Sequence, residues 1–399
     1  MNPIINKIKE LATTYHPSII ENRNHLHAHP ELSFHEHETM KWIGEKLKEY
    51  KIDFQSGIAK TGIVAILKGK NPTKKTIALR ADIDALPIQE ENNISYKSKN
   101  AGVMHACGHD VHTASLLGSI RILNDLKDSW EGTIKFIFQP AEEKLPGGAS
   151  LLIKEGVLKN PDVSHILGQH VMPQLSVGKI GFRSGMYMAS SDEIYLTIKG
   201  KGGHAAIPES VIDPVVMMAN IIISLQQVVS RNANPKTPSV LSFGKVIAQG
   251  ATNVIPDQVL VEGTFRTMDE KWREEAHEKI KKIATSIAEG MGGFCECKIL
   301  KGYPVLKNNP ELTDRTQNAA IEYIGKENIV ELDRWMASED FAYYSQEIPA
   351  CFYRLGVRNE EKGIISPVHT STFNIDEQAL EIGAGLMAWL AIQELGQEK

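Results

Sequence analysis

Residues 193–300 carry apolar runs in the order strand, helix, strand, strand, helix, strand, and the pattern on either side of this block is different. EIYLTIK at 193–199 alternates like a half-buried strand. Residues 213–231 read as a helix, and the pair Asp213-Pro214 suits its cap and first turn. Two strands follow at 240–247 and 258–266, then a charged amphipathic helix at 272–291 ended by Gly292-Gly293, then a strand at 294–300. That order is the one of a ferredoxin-like α+β domain. Before it, apolar runs at 61–68, 76–81, 132–138 and 165–171 alternate with helical stretches at 113–126 and 149–155. Such alternation predicts an α/β domain with a mixed, mostly parallel sheet covered by helices. After it, a helix at 311–324, a strand at 350–356 and a helix at 376–395 resume that pattern. A chain of 399 residues exceeds one simple domain. The simplest organisation is a catalytic domain in two parts, 1–187 and 302–399, with a domain inserted at 188–301.

The charge and cysteine content narrow the function classes. A net charge of -5, with Lys and Arg scattered, gives no electrostatic case for nucleic acid or an anionic membrane. Near the start, Ile4, Ile5, Ile8 and Leu11 recur at helical spacing among Lys and Glu, unlike the continuous apolar run of a signal peptide. The densest apolar stretch, 215–225, is far short of the ~20 residues a membrane span needs. Four cysteines make no disulfide framework. The expectation is a cytoplasmic protein.

Four stretches carry candidate chemistry. MHACGHDVHTA at 104–114 places Cys107 and His109 two apart, with Gly108 between them to permit a turn. Thiolate and imidazole are zinc-type ligands, tolerable for other first-row ions. Taken alone, the pair is equally the pattern of a buried cysteine beside a surface histidine. FIFQPAEE delivers Glu142 and Glu143 past a strand end, where open α/β sheets put their sites. Neighbouring carboxylates can divide the labour, one holding a metal and the other taking a proton from water. His170 ends the strand of HILGQHV, and His369 lies in the loop SPVHTSTF after the strand at 350–356. Cys107, His109, Glu143, His170 and His369 thus gather along one predicted sheet edge. Five ligands exceed one tetrahedral site and suit two ions sharing a bridge. ALRADIDALPI adds Asp82 and Asp84 just past a strand, as groups able to orient histidines.

Other patterns invite chemistry without supporting it. Five histidines lie between His25 and His37, but Pro30 breaks the segment and it reads as a helix end and turn. Cys295 and Cys297 share a strand face, which suits packing. Gly200, Gly202 and Gly203 miss the dinucleotide fingerprint.

In order along the chain, ALRADIDALP, MHACGHDVHTA, FQPAEE, GQH, GKGGHAAIP, NVIP, GTFRT, ASEDF and VHTSTF resemble the aminoacylase and hippurate hydrolase group of two-metal amidohydrolases and peptidases. Auxin-conjugate hydrolases and N-acetyl-diaminopimelate deacetylases belong to the same group. The resemblance spans about Arg23 to Gly383. It implies a zinc-exopeptidase-like catalytic domain with an inserted lid and dimerisation domain, acting as a homodimer or higher oligomer. It implies two divalent ions, zinc or manganese first, with cobalt or nickel open. Cys107 would bridge them, His109 and His170 would complete one site, and Glu143 and His369 the other. Glu142 would be the general base on the bridging water, and Asp84 matches the catalytic-site aspartate. Asp82 falls where distant relatives carry a ligand histidine, a duty His109 takes over. His204 of GKGGHAAIP would sit over the reacting carbonyl, and Asn253 and Arg266 would hold the substrate carboxylate. The implied reaction is cleavage of N-acyl (acetyl, benzoyl or similar) amino acids to a carboxylic acid and an amino acid. A dipeptidase or carboxypeptidase of the same fold and a non-catalytic metal-binding protein are the alternatives.

Overall fold

The structure, a computed structural model, describes residues 3–396. Residues 1–2 and 397–399, the ends of the two outer segments, lie outside the described residues. The chain divides into two compact units. The first comprises Met1–Tyr187, Lys307–Arg334 and Asp340–Lys399, and the second Met188–Leu306 with Trp335–Glu339.

The first unit is built on an eight-stranded sheet. Its strands run in the order Asp53–Ile58, Gly62–Lys68, Thr133–Gln139, Thr76–Asp82, Ile166–Ser176, Ala350–Arg358, Ile180–Phe182 and Ile329–Glu331. Thr133–Gln139, Thr76–Asp82, Ile166–Ser176 and Ala350–Arg358 are mutually parallel at the centre, and antiparallel pairs flank them. TIALRAD and TIKFIFQ are buried along their whole length. Strands covered on both faces lack the apolar-polar alternation of a half-exposed strand, which is why these are legible by their apolar, β-rich content instead. Helices Pro3–Ala28, His109–Asp125 and Gln378–Gly396 pack on one another, and the last two also pack on the strand Thr76–Asp82. Ile8, Ile19, Leu116, Ile120, Leu386 and Trp389 join one continuous core there.

The second unit is a four-stranded antiparallel sheet in the order Ser239–Ile247, Gln258–Thr267, Asp192–Lys199, Phe294–Lys301. Helices Pro214–Gln227 and Glu270–Gly290 pack on it. Asp213 caps the first helix, accepting the Val215 amide at 2.8 Å, and Asp269 caps the second, accepting the Trp272 amide at 2.7 Å. Ile194, Leu196 and Ile198 point inward at every second residue, against Met217, Ile221 and Leu225 at helical spacing.

Several elements differ from the sequence expectations. The helix expected from residue 113 begins at His109, because its first turn is held by tertiary bonds of Asp110 and His112 that local propensity does not register. The strand carrying His170 continues to Ser176, so His170 lies within it instead of at its end. The second unit extends to Leu306 and takes in Trp335–Glu339. The Ala189 amide donates to the Trp335 and Ala337 carbonyls, both at 3.1 Å, a tie between distant segments that no periodicity encodes.

Candidate metal centre

The turn at Cys107 is set by Gly108, which adopts φ 86°. A Cβ there would meet Val171 Cγ2 at 2.5 Å, so only glycine fits. The turn aims Cys107 Sγ at two imidazoles from other segments. His170 Nε2 lies 3.5 Å away and His369 Nε2 3.3 Å away. His369 Nε2 is also 3.2 Å from Glu143 Oε1. His109 Nε2 is 4.0 Å from both Glu142 Oε2 and Glu143 Oε1. Ligand atoms of Cys107, His109 and His170 fall within 4.8 Å of one another, and so do those of Cys107, Glu143 and His369. Two three-residue groups thus share Cys107.

The other nitrogen of each buried imidazole is already bonded. His109 Nδ1 donates to the Asp84 carbonyl at 2.9 Å and lies 3.2 Å from Asp84 Oδ1. His170 Nδ1 donates to the Val171 carbonyl at 2.7 Å. These bonds hold a proton on Nδ1 and aim Nε2 into the cluster, as a metal-ligating histidine requires. His109 Nε2 is buried with no hydrogen-bond partner, while the buried Glu143 Oε1 has His369 Nε2 as its neighbour at 3.2 Å. Buried polar atoms are rarely left so. An unpartnered imidazole nitrogen, two further imidazoles and a carboxylate around a thiol are the donor set a divalent ion takes, and the residues fit such an ion.

The electrostatics favour a cation. Burial alone would lower the His109 pKa, but Asp82, Asp84 and Glu143 outweigh it and push the imidazole to about 10. The same negative field would hold a metal ion where that proton sits. His170, buried and beside Arg354, is held well below its ordinary value and stays neutral. Burial raises the Asp84 carboxyl, yet the His109 and Ser33 bonds and the Glu143 amide bring it below its ordinary value.

Asp82 is occupied on both oxygens. Arg80 Nη1 donates to Oδ2 at 2.6 Å, and His112 Nδ1 to Oδ1 at 2.5 Å. Arg80 also donates to Asp340 Oδ1 at 2.8 Å. Both carboxylate oxygens of Asp82 are thus engaged, and Asp82 also forms a three-residue donor group with His109 and His112. His105 is buried, both its nitrogens lack partners, and burial lowers it to about 4. The histidines at 25–37 disperse. His25 stacks on Trp42 with centroids 4.6 Å apart, while His27 is fully buried between Asp110 and Glu90.

Glu142, Asp84 and the five proposed ligands are all in the first unit. Glu142 is 6% exposed, and its Oε1 lies 3.4 Å from the Asp340 amide. His204, Asn253 and Arg266 belong to the second unit. His204 pairs with Val254 in a short two-stranded ribbon, and the Asn253 carbonyl accepts the Ala205 amide at 3.0 Å, so these two are neighbours. His204 Nδ1 accepts the Ala206 amide at 3.1 Å, which places the neutral ring's proton on an exposed Nε2. Arg266 reaches the Met336 carbonyl at 3.2 Å and Ser338 Oγ at 3.4 Å.

Comparison with known proteins agrees with this chemistry. Residues 78–393 match the model of Peptidase family M20/M25/M40. An N-acetylcysteine deacetylase of Bacillus subtilis is 42% identical, covering 95% of this chain and 97% of the relative. Thermostable carboxypeptidase 2 of Saccharolobus solfataricus is 37% identical, covering 98% of each. A solved Bacillus subtilis structure, described as a dinuclear metal binding peptidase from the M20 family, superimposes with a TM-score of 0.83 at 38% identity, over 96% of this chain and 99% of that one.

Proposed function

The chain belongs to peptidase family M20/M25/M40 and is a hydrolase of amide or peptide bonds, and from that premise we propose that it cleaves N-acyl amino acids with two divalent metal ions. The observation that carries the reading is the unpartnered His109 Nε2 facing the contact between Glu143 Oε1 and His369 Nε2, beside the shared thiol of Cys107. His109 and His170 would hold one ion, Glu143 and His369 the other, and Cys107 both. Ions held there would make a shared water more acidic and polarise the scissile carbonyl. Thiolate favours zinc, with manganese next and cobalt or nickel also accommodated.

Glu142 takes the proton of the attacking water as its oxygen bonds to the acyl carbon. It then passes that proton to the departing amine nitrogen as the C–N bond breaks, so the acyl carbon ends as a carboxylic acid, which gives up its remaining proton to solvent, and the amine is released. Asp84 keeps the His109 proton on Nδ1. His204, with its proton on Nε2, is suited to donate to the oxyanion. Arg266 and Asn253 hold the free carboxylate on the amine side, for which a guanidinium fork is apt. The relative named N-acetylcysteine deacetylase supports an acyl substrate. The relative named a carboxypeptidase favours peptides as the second reading.

The second unit serves as lid and homodimerisation domain in this reading. In its support, Val216 and Ile223 on the helix Pro214–Gln227 are 47% and 73% exposed, and Ser239–Ile247 is an edge strand. Four cysteines without a disulfide suit a reducing cytoplasm, and among the described residues no helix is long and apolar enough to cross a membrane. The deciding experiment is hydrolysis of N-acetyl-L-methionine, N-benzoylglycine and several dipeptides by apoprotein, then with zinc, manganese or cobalt restored singly. Metal-restored release of amino acid from the acylated substrates is expected. Activity confined to dipeptides would promote the peptidase reading, and two bound metals with no turnover would point to an untested acyl substrate or to a non-catalytic protein.

A further inference from the structure

Glu36 is a carboxylate with no exposed surface, and among the described residues no cation pairs with it. Burying an unpaired carboxylate is costly unless its oxygens are bonded. Both are: Oε2 accepts from Thr61 Oγ1 at 2.6 Å, and Oε1 accepts the Ala141 amide at 2.9 Å. Ala141 holds φ 51°, a left-handed conformation that a non-glycine residue adopts only when its surroundings impose it. Its carbonyl in turn accepts the Gly148 amide at 3.0 Å. Ala141 is the residue immediately before Glu142.

The peptide on the other side of Glu142 is pinned too. The Glu143 amide donates to Asp84 Oδ2 at 3.0 Å, and that same oxygen accepts from Ser33 Oγ at 2.6 Å. Ser33 and Glu36 belong to one segment, residues 31–36, which is itself tied down by the Ala85 amide donating to the Glu31 carbonyl at 2.8 Å. One short stretch between two helices thus reaches both amides that bracket Glu142, directly through Glu36 and through Asp84 by way of Ser33.

We propose that Glu36 is a positioning residue for Glu142, holding the Ala141 amide so that the Glu142 carboxylate is presented in one orientation. The inference rests on the reading of Glu142 as the base. Glu36 touches neither substrate nor any proposed metal ligand side chain. What it supplies is an acceptor oxygen at a fixed distance, and its charge is incidental to that task.

Two conservative variants separate these properties. Glu36→Gln keeps an acceptor for the Ala141 amide, with its NH₂ facing Thr61 Oγ1, which then accepts. Glu36→Asp keeps the charge but withdraws the oxygen by one methylene. Each would be assayed for kcat and KM on an N-acyl amino acid, for metal content, and for chelator competition, beside Glu36→Ala and Glu142→Ala. Glu36→Asp and Glu36→Ala should lose on the order of 10²-fold in kcat, the scale of an ångström misplacement, with KM and metal affinity held. Glu36→Gln should recover most of that loss. In a Glu142→Ala background, Glu36→Ala should cost nothing further. Glu36→Asp outperforming Glu36→Gln, or folded Glu36→Ala with normal kcat while Glu142→Ala is inactive, would overturn the inference. Turnover surviving in metal-loaded Glu142→Ala would instead overturn the base assignment beneath it.

Discussion

His112 Nδ1 and Asp82 Oδ1 are joined at 2.5 Å, and the opposite nitrogen of the same ring accepts the Val171 amide at 2.9 Å. The imidazole is therefore neutral with its proton on Nδ1. Burial favours that state, lowering the His112 pKa despite the adjacent carboxylate. Val171 follows His170 and supplies the carbonyl that orients the His170 ring. A chain of contacts runs from Arg80 through Asp82 and His112 to the backbone that holds a proposed ligand. His112→Ala should weaken metal binding by roughly 10- to 100-fold, the usual effect of removing a group that supports a ligand. Chelator competition on the folded protein measures it. Unchanged affinity would show that the Val171 amide is not what holds His170.

The adjacent carboxylates Glu142 and Glu143 should separate cleanly on mutation. Glu142→Ala is expected to retain both metals and lose on the order of 10²- to 10⁴-fold in rate. Glu143→Ala is expected to lose metal first, and activity with it. Metal analysis of each purified variant beside its kcat distinguishes the two roles. Because the ions bind only the folded chain, wild-type protein should gain about 2.7 kcal/mol of stability at metal concentrations 100 times the Kd. Glu143→Ala should gain much less. Equal metal content and equal rate loss in both variants would collapse the distinction.

The sequence carried the ligand set further than it carried the supports. Cys107, His109, Glu143, His170 and His369, the proposed ligands, are each a metal-type residue, and the motif order made them readable as one group, although His170 lies within its strand and not at its end. Glu36 was not legible. Glu36 sits in a histidine-rich stretch that reads as a helix end and turn, and its bond to Ala141 spans 105 positions. Nothing in local composition marks a carboxylate whose partner is a backbone amide. The helix start at His109 was missed for the same reason, since Arg23 Nε holds Asp110 at 2.8 Å from 87 positions away. The two-domain pattern, by contrast, rests on periodicities of 2.0 and 3.6 residues, which are local and survive in the sequence.

Arg266→Ala tests substrate choice. If its guanidinium holds a substrate carboxylate, the variant should raise KM for N-acetyl-L-methionine and leave N-acetyl-L-methioninamide, which lacks that charge, little affected. A bidentate charge-assisted pair is among the stronger polar contacts, so the split should be plain. Steady-state kinetics on the two substrates reads it. An equal loss on both would mean that Arg266, through its bonds to the Met336 carbonyl and Ser338, mainly supports the second unit.

Asp192 gives the second unit a pH dependence whose sign can be worked out. Its carboxylate is buried, accepts from Arg273 Nε at 2.9 Å and His277 Nε2 at 2.7 Å, and takes the Gly302 amide at 3.1 Å. Burial pushes its pKa up, but the His277 and Arg273 partners prevail and hold it below the ordinary carboxylate range. In the unfolded chain it titrates near 3.9. On acidification the unfolded chain takes up the proton first, so the contribution is complete above about 3.9 and is lost as pH falls through the lower folded value. Asp192→Asn should destabilise the unit by about 3–5 kcal/mol at pH 7, the cost of breaking a buried pair. Hydrogen exchange in residues 258–301 should show a wide gap between wild type and variant at pH 7, narrowing below about pH 3.9. A gap that persists unchanged at pH 3 would mean the carboxylate's charge is not what ties Asp192 to Arg273.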